Sequence, residues 1–340
     1  MKLTIHTFDL TLKHTFAISR RSFNHQKTLI VELSQDGLSG YGEATVNPYY
    51  PNTEIEVMRK ALETIRPQIE AKTADDPARC WEEWQTALSE YPFALCALDV
   101  ACWDLHARLQ QQALYKLWNT EWTGKPISCY TLSIASLEVL RQRMAETPWP
   151  VYKIKLGTKD DIGLVESLRK ETTARFLVDA NAAWSADEAI EKSIALKALG
   201  VEFIEQPLAA DDWQGMAKLY AHSALPLIAD ESCRKIADIP RCAECFHGIN
   251  IKLMKCGGLS PALRMIQQIR NLKLKVMVGC MTESTIGISA IAQLLPQLDY
   301  VDMDGPLFLK EDIARGAKVT AKGTLLADEN GTGAQPIGQW

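Results

Sequence analysis

No stretch of this 340-residue chain is apolar for long enough to cross a bilayer. Its start, MKLTIHTFDLTLKHTF, alternates like a strand and lacks the apolar core of a secretory signal. A cytoplasmic protein without a membrane partner is expected. Also missing is any run rich in lysine and arginine: the net charge is −5 with both signs interspersed, which argues against nucleic acid and anionic membrane as partners. Nine cysteines are an odd number, scattered through a chain that needs no stapling, so reduced thiols are expected. Cys242 and Cys245 have zinc-knuckle spacing, but no second CxxC and no close histidine pair accompanies them. They read as ordinary helix or loop cysteines. Whole-sequence repeats and low-complexity segments are absent.

What is present is a period. Lys155, Asp179, Glu205, Asp230, Lys255 and Cys280 follow one another at 24, 26, 25, 25 and 25 residues. The first five follow or close short apolar runs: YKIKL, FLVDAN, EFIEQP, LIADES and NIKLMK. Such an interval fits one strand, one helix and two loops, the crossover that a parallel strand requires. Eight strands are expected, in CYTLSI, VYKIKL, RFLVDA, VEFIEQ, LPLIAD, GINIKL, LKVMVG and YVDMD, with seven amphipathic helical stretches between them. The fold class is therefore α/β, a (β/α)7β TIM-like barrel whose catalytic groups converge at the carboxyl ends of the strands.

With 47% apolar residues and 340 positions, the chain has material for a second domain. KLTIHTFDLTL and TLIVELSQ read as an antiparallel meander joined by a flexible polar connection, SRRSFNHQ. Residues 54–70 and 76–118 are helical in pattern, and ALCALDVACWDLHARL carries an apolar stripe. On it, Asp99 reads as a capping or packing acid and Asp104 as a surface acid. The expected division is an α+β capping domain over 1–122, the barrel over 123–305, and a tail over 306–340 that returns to the cap.

Asp179, Glu205 and Asp230 end the third, fourth and fifth strands, which are neighbours. Three carboxylates without histidine or cysteine match a hard cation held by oxygen, most plausibly Mg2+. Unpaired, they would raise one another's pKa; the alternative is that each caps a helix or pairs with a lysine. Lys153 and Lys155 end the second strand on one side of it, and Lys255 is placed at the end of the sixth, across the ring. A substrate carbon beside the metal would then have an amine on each face, one to take a proton and one to return it. Lys155 serves as a base only if a neighbouring cation, Lys153 or the metal, lowers its pKa. Lys252 is the rival to Lys255 and is expected to pair with acids lower in the barrel. Asp302 and Asp304, on the last strand, would attract an ammonium group, although an aspartate before Gly-Pro also suits a turn.

Taken together, KIK at 153–155, DAN at 179–181, EQP at 205–207, ADES at 229–232, NIKLMKCGG at 250–258 and DMDGP at 302–306 resemble the enolase superfamily, muconate-lactonising subgroup, and within it the dipeptide epimerases. The resemblance spans essentially the whole chain. It implies that Asp179, Glu205 and Asp230 bind one Mg2+ and that Lys155 and Lys255 are the acid/base pair. Among substrate contacts it implies Lys153 and Thr131, with Asp302 and Asp304 holding the free amine of a dipeptide. Arg21, or its neighbour Arg20, would meet an acidic side chain, as in L-Ala-D/L-Glu epimerases. The implied reaction is transfer of the α-proton of the C-terminal residue through a metal-stabilised enediolate, under a lid formed by residues 16–26 and Thr45–Thr53. Cycloisomerisation or dehydration to succinylbenzoate is the alternative within the subgroup, and those substrates lack the ammonium that the aspartate pair would hold. A barrel that binds metal without catalysis is the alternative outside it. Barrels of this kind often self-associate; the homo-oligomeric state is left open by the residues.

Overall fold

The computed structural model describes residues 1–18 and 21–340, with the backbone but not the side chain of Arg21. Three long antiparallel strands come first: β1 (Lys2–Ile18), β2 (Arg21–Gln35) and β3 (Leu38–Thr45). The connection expected to be a polar loop is mostly strand, since Ala17 pairs with Ser22 and Phe16 with Phe23. Aromatic residues at both positions, ring centres 5.7 Å apart, favour a continued ladder. The described residues of the 16–26 part of the expected lid are thus paired strand rather than loop.

The helix Pro92–Leu109 lies against β3. Close approach is possible because Gly40 and Gly42 face it: a Cβ at Gly42 would stand 2.0 Å from the Ala97 carbonyl oxygen. Instead of one apolar stripe, this helix is buried nearly all round, because its other face meets the barrel. There Asp99 accepts from the backbone N–H and hydroxyl of Ser260, capping the helix Leu259–Asn271. Asp104, expected at the surface, is fully buried. It accepts from Tyr41 N–H (2.9 Å), Arg108 (3.1 Å) and Thr332 N–H (2.6 Å). The C-terminal segment covers it, a neighbour more than two hundred residues away in sequence. That segment also bridges Leu309 to Leu12 and stacks Trp340 on Phe8, ring centres 5.0 Å apart.

The eight expected strands are β4 (Tyr130–Leu132), β5 (Val151–Lys155), β6 (Arg175–Asp179), β7 (Val201–Glu205), β8 (Leu227–Ala229), β9 (Gly248–Ile251), β10 (Lys275–Gly279) and β11 (Tyr300–Asp302). They form one parallel sheet in chain order. The Cys129 N–H bonds the Val301 carbonyl at 3.2 Å and brings the two ends of the sheet together. Five of the barrel helices begin on short polar caps, Ser136, Asp160, Ser185, Asp212 and Ser284, each accepting from a backbone N–H of the first turn.

Strand alternation sorts the side chains. Outward residues such as Ile154, Val178, Ile204, Ile249 and Val276 pack on the helices in the main core. Inward residues form a floor of Cys129, Val151, Leu177, Phe203, Ile228 and Met277. Each such fully buried aliphatic or aromatic side chain contributes ~1.5–3 kcal/mol. Two residues beyond five of these six, the inward positions turn polar, at Thr131, Lys153, Asp179, Glu205 and Asp230, and the site begins.

Candidate active site

Register sets the first contacts. Lys155 pairs with Asp179, and Asp179 with Glu205, in adjacent strands, so three ionisable groups stand side by side above the floor. Asp230 follows β8 by one residue. Among the described residues, one oxygen each of Asp179, Glu205 and Asp230 lies within 4.8 Å of the others, and all three are buried.

Lysines interleave with these acids. Lys153 is fully buried, 2.8 Å from Glu205, 2.9 Å from Asp302 and 3.1 Å from Asp179. Burial opposes its charge, but Asp302, Glu205 and Asp179 outweigh this and hold its pKa well above the ordinary range. Lys155 reaches Asp179 at 2.6 Å and Lys252 reaches Asp230 at 2.9 Å. Burial pushes the Asp179 carboxyl up, yet Lys155 and Lys153 bring it down to about 2. Glu205 moves the other way, to about 7, through burial first and then the Asp179 charge. These are the opposite responses of closely packed like charges that share too few cations.

A cavity of about 470 Å3 opens above this layer. Its wall includes Lys155, Asp230, Glu231, Lys252, Thr131, Asp302 and Asp304 from the barrel, and Phe16, Ile18, Phe23, Asn47 and Tyr50 from the N-terminal strands and the turn after β3. Lys153 was expected to touch substrate but does not border this cavity; it ties carboxylates together below it. The choice between the two later lysines also changes. Lys255 lies not at a strand end but in a single helical turn, Leu253–Cys256. That turn sends its amine to the Asp230 carboxylate (2.5 Å), the Asp230 carbonyl and the Cys233 carbonyl (3.0 Å), with a side chain only 1% exposed. Lys252, next after β9 and 12% exposed, is the one on the cavity wall. It was expected to pair with acids lower in the barrel; its partner is the rim acid Asp230.

Asp302 and Asp304 line the cavity side by side. Asp302 bonds Lys153 through Oδ2, while its buried Oδ1 has no partner among the described residues. Asp304 accepts from the Thr131 N–H at 2.6 Å, and burial together with Asp302 raises its pKa well above the ordinary carboxylate range. The second lining group that could hold a metal, Cys280 with these two aspartates, offers a thiol in place of a third carboxylate. Cys242 and Cys245 are buried in and just after the turn Ile239–Cys242. The side chains of Arg20 and Arg21 lie outside the described residues.

Residue types alone did not reveal Asn250, Glu231 or Tyr50. Asn250 donates to Glu205 at 2.8 Å, and alternation from Lys252 back along β9 was the signal for it. Glu231 is a neighbour of Asp230 on the wall, with Oε2 buried and without a partner among the described residues.

Another pair of acids joins the two domains. Glu43 on β3 accepts from Thr28 (2.9 Å), the Ser284 hydroxyl (2.6 Å) and the Gly287 N–H (3.0 Å). A Cβ on Gly287 would lie 2.1 Å from Glu283 and 3.3 Å from Glu43, so both carboxyls flank one glycine. Burial and then the Glu43 charge push Glu283 from 4.5 up to about 8. A carboxyl raised on folding favours the folded state most fully below the unfolded pKa. Stability should therefore fall as pH rises from about 4.5 to about 8. Denaturant unfolding of Glu283→Gln across that window should show a clearly flatter profile; an unchanged slope would remove Glu283 as its source.

A parallel barrel that opens on three acids and two cavity-facing lysines beneath an α+β cap is the architecture of the enolase superfamily. Two family models match the chain, one described as mandelate racemase / muconate lactonizing enzyme, N-terminal domain, over residues 2–118, and one as enolase C-terminal domain-like over 136–339. The chain belongs to this mandelate racemase and muconate lactonizing family of the enolase superfamily. It is 52% identical to an L-Ala-D/L-amino acid epimerase of Flavobacterium johnsoniae, over 98% of this chain and 99% of that one. An L-Ala-D/L-Glu epimerase of Bacteroides thetaiotaomicron is 32% identical, over 99% and 88%. Among solved structures, a dipeptide epimerase of Enterococcus faecalis complexed with Mg and L-Leu-L-Tyr superimposes with a TM-score of 0.92, at 28% identity over 98% of both chains.

Proposed function

We propose that this chain is a dipeptide epimerase that inverts the α-carbon of the C-terminal residue, with L-Ala-D/L-Glu among its substrates. The observation that carries this is the opposition of Lys155 at the end of β5 and Lys252 just after β9, the second and sixth of eight strands, across a mouth whose intervening strands carry the acids. The names of the relatives support the dipeptide class, and the name of the F. johnsoniae relative supports alanine as its first residue.

Asp179, Glu205 and Asp230 fit a hard divalent cation: three buried carboxylates, no softer donor, and oxygens close enough to share one ion. They would hold Mg2+, as the E. faecalis relative's complex suggests, and the ion would supply positive charge for the substrate carboxylate as charge builds on it. Lys155 or Lys252, as the neutral amine, removes the α-proton: the C–H bond breaks, its electron pair forms a double bond from the α-carbon to the carboxyl carbon, the carbonyl π pair moves onto oxygen, and the amine becomes ammonium. The other lysine then delivers a proton to the opposite face, and the new C–H bond has inverted configuration. Asp302 and Asp304 receive the dipeptide's ammonium, for which the unpartnered Asp302 Oδ1 is suited. Thr131 steadies Asp304 through its N–H. Lys255 holds Asp230, and Lys153 holds Glu205 and Asp302. Phe16, Ile18, Phe23 and Tyr50 keep water from the reacting carbon. Arg21, or Arg20, is our reading for one contact to an acidic side chain, made from the hairpin.

The division into a cap over 1–122, a barrel over 123–305 and a returning tail over 306–340 belongs to this reading, as does a cytoplasmic location. No described helix is long and apolar enough to cross a membrane. In deuterated water with Mg2+, deuterium should enter the α-position of the glutamate in L-Ala-L-Glu, and a chelator should stop it. An enzyme that exchanges no dipeptide of a small library would refute the assignment.

A further inference from the structure

The cavity wall carries three described cations: Lys155, Lys252 and Arg234. Both lysines have a carboxylate within 3 Å. Arg234 has none within 4.0 Å among the described residues; its only charged contact is through its backbone, where its N–H donates to Asp238. Its guanidinium carbon instead sits 5.4 Å from the centre of the Tyr50 ring, at a distance where a cation is drawn to a ring face. Tyr50 in turn lines the same cavity as Lys252 and Asp230. An unpaired guanidinium thus stands at the mouth, fixed over a ring that faces the lysine side of the cavity.

Resting on the epimerase reading, we infer that Arg234 forms an anion subsite that selects an acidic side chain on the C-terminal residue of the dipeptide. With that residue's α-carbon between Lys155 and Lys252, and the peptide amine at Asp302 and Asp304 on the last strand, the remaining substituent points out of the barrel. It meets Tyr50 and Arg234. A guanidinium binds a carboxylate through two parallel N–H groups. Asp211 is also on the wall and has no ion pair among the described residues; it would disfavour the same side chain, and Arg234 opposes it.

The test compares kcat/KM of the parent and of Arg234→Gln on L-Ala-L-Glu, L-Ala-L-Leu and L-Ala-L-Lys, with Mg2+. Loss of one charge-assisted pair at a partly exposed site should raise KM for the glutamyl dipeptide about tenfold. KM for the leucyl dipeptide and kcat for both should change little, and the lysyl dipeptide should improve relative to both. Arg234→Lys should recover part of the loss. An equal effect on all three substrates, or none, overturns the subsite. A parent enzyme inactive on all three instead overturns the epimerase reading, so the two failures are distinct.

Discussion

Lys155→Ala and Lys252→Ala should each lower epimerisation of L-Ala-L-Glu by ~10^3-fold or more, the scale expected for a positioned general acid or base. Each variant should still exchange the α-proton of one enantiomer with solvent, because the surviving amine serves a single face. The two variants should favour opposite enantiomers. NMR of the α-proton in deuterated water, run on both diastereomers, reads this directly. Lys255→Ala is the control. Its amine is tied to the Asp230 carboxylate and to two carbonyls, so its loss should weaken Mg2+ binding and stability and leave the enantiomer pattern symmetric. Should Lys255→Ala instead show one-sided exchange while Lys252→Ala stays fully active, Lys255 is the catalytic amine and the pocket-facing assignment fails.

The largest expected effect on stability belongs to Lys153→Met. Its ammonium lies within about 3 Å of Glu205, Asp302 and Asp179, all of them buried. Methionine fills nearly the same volume and leaves three carboxylates without their shared cation. Removing one partner from a buried ionic cluster costs about 3–5 kcal/mol. Urea unfolding with a chelator present should show that loss, and millimolar Mg2+ should restore part of it, since a ligand that binds only the folded state stabilises it. A variant as stable as the parent under both conditions would mean that the acids are not held by this lysine.

Much of this site was legible before folding because a barrel visits its rim once per βα unit. The regular spacing of Lys155, Asp179, Glu205 and Asp230 is that visit rate, and register then places three of them side by side. The period failed at its fifth member. After β9 the chain enters a helical turn at once, which rotates Lys255 away from the cavity and leaves Lys252 on its wall. Period alone cannot see a change from extended to helical rise within three residues. Asp104 was misread for another reason: its partners Tyr41 and Thr332 lie far off in sequence, so nothing local marks it as buried. The helix around it looked amphipathic because a stripe is enough for one contact face, whereas the fold gives it two. SRRSFNHQ looked like a loop because its polar residues alternate with too few apolar ones, yet Phe16 against Phe23 extends the hairpin.

By itself the amino-acid order determined the barrel, the count of its strands and the acids at its mouth, since these follow from hydrophobic alternation and a repeat length that act locally. Only the tertiary structure decided which amine faces the cavity, which lysine merely braces an aspartate, and which arginine on the cavity wall has no carboxylate partner among the described residues. Those outcomes depend on the direction of a side chain's last atoms, and that direction is set by neighbours brought together from distant parts of the chain.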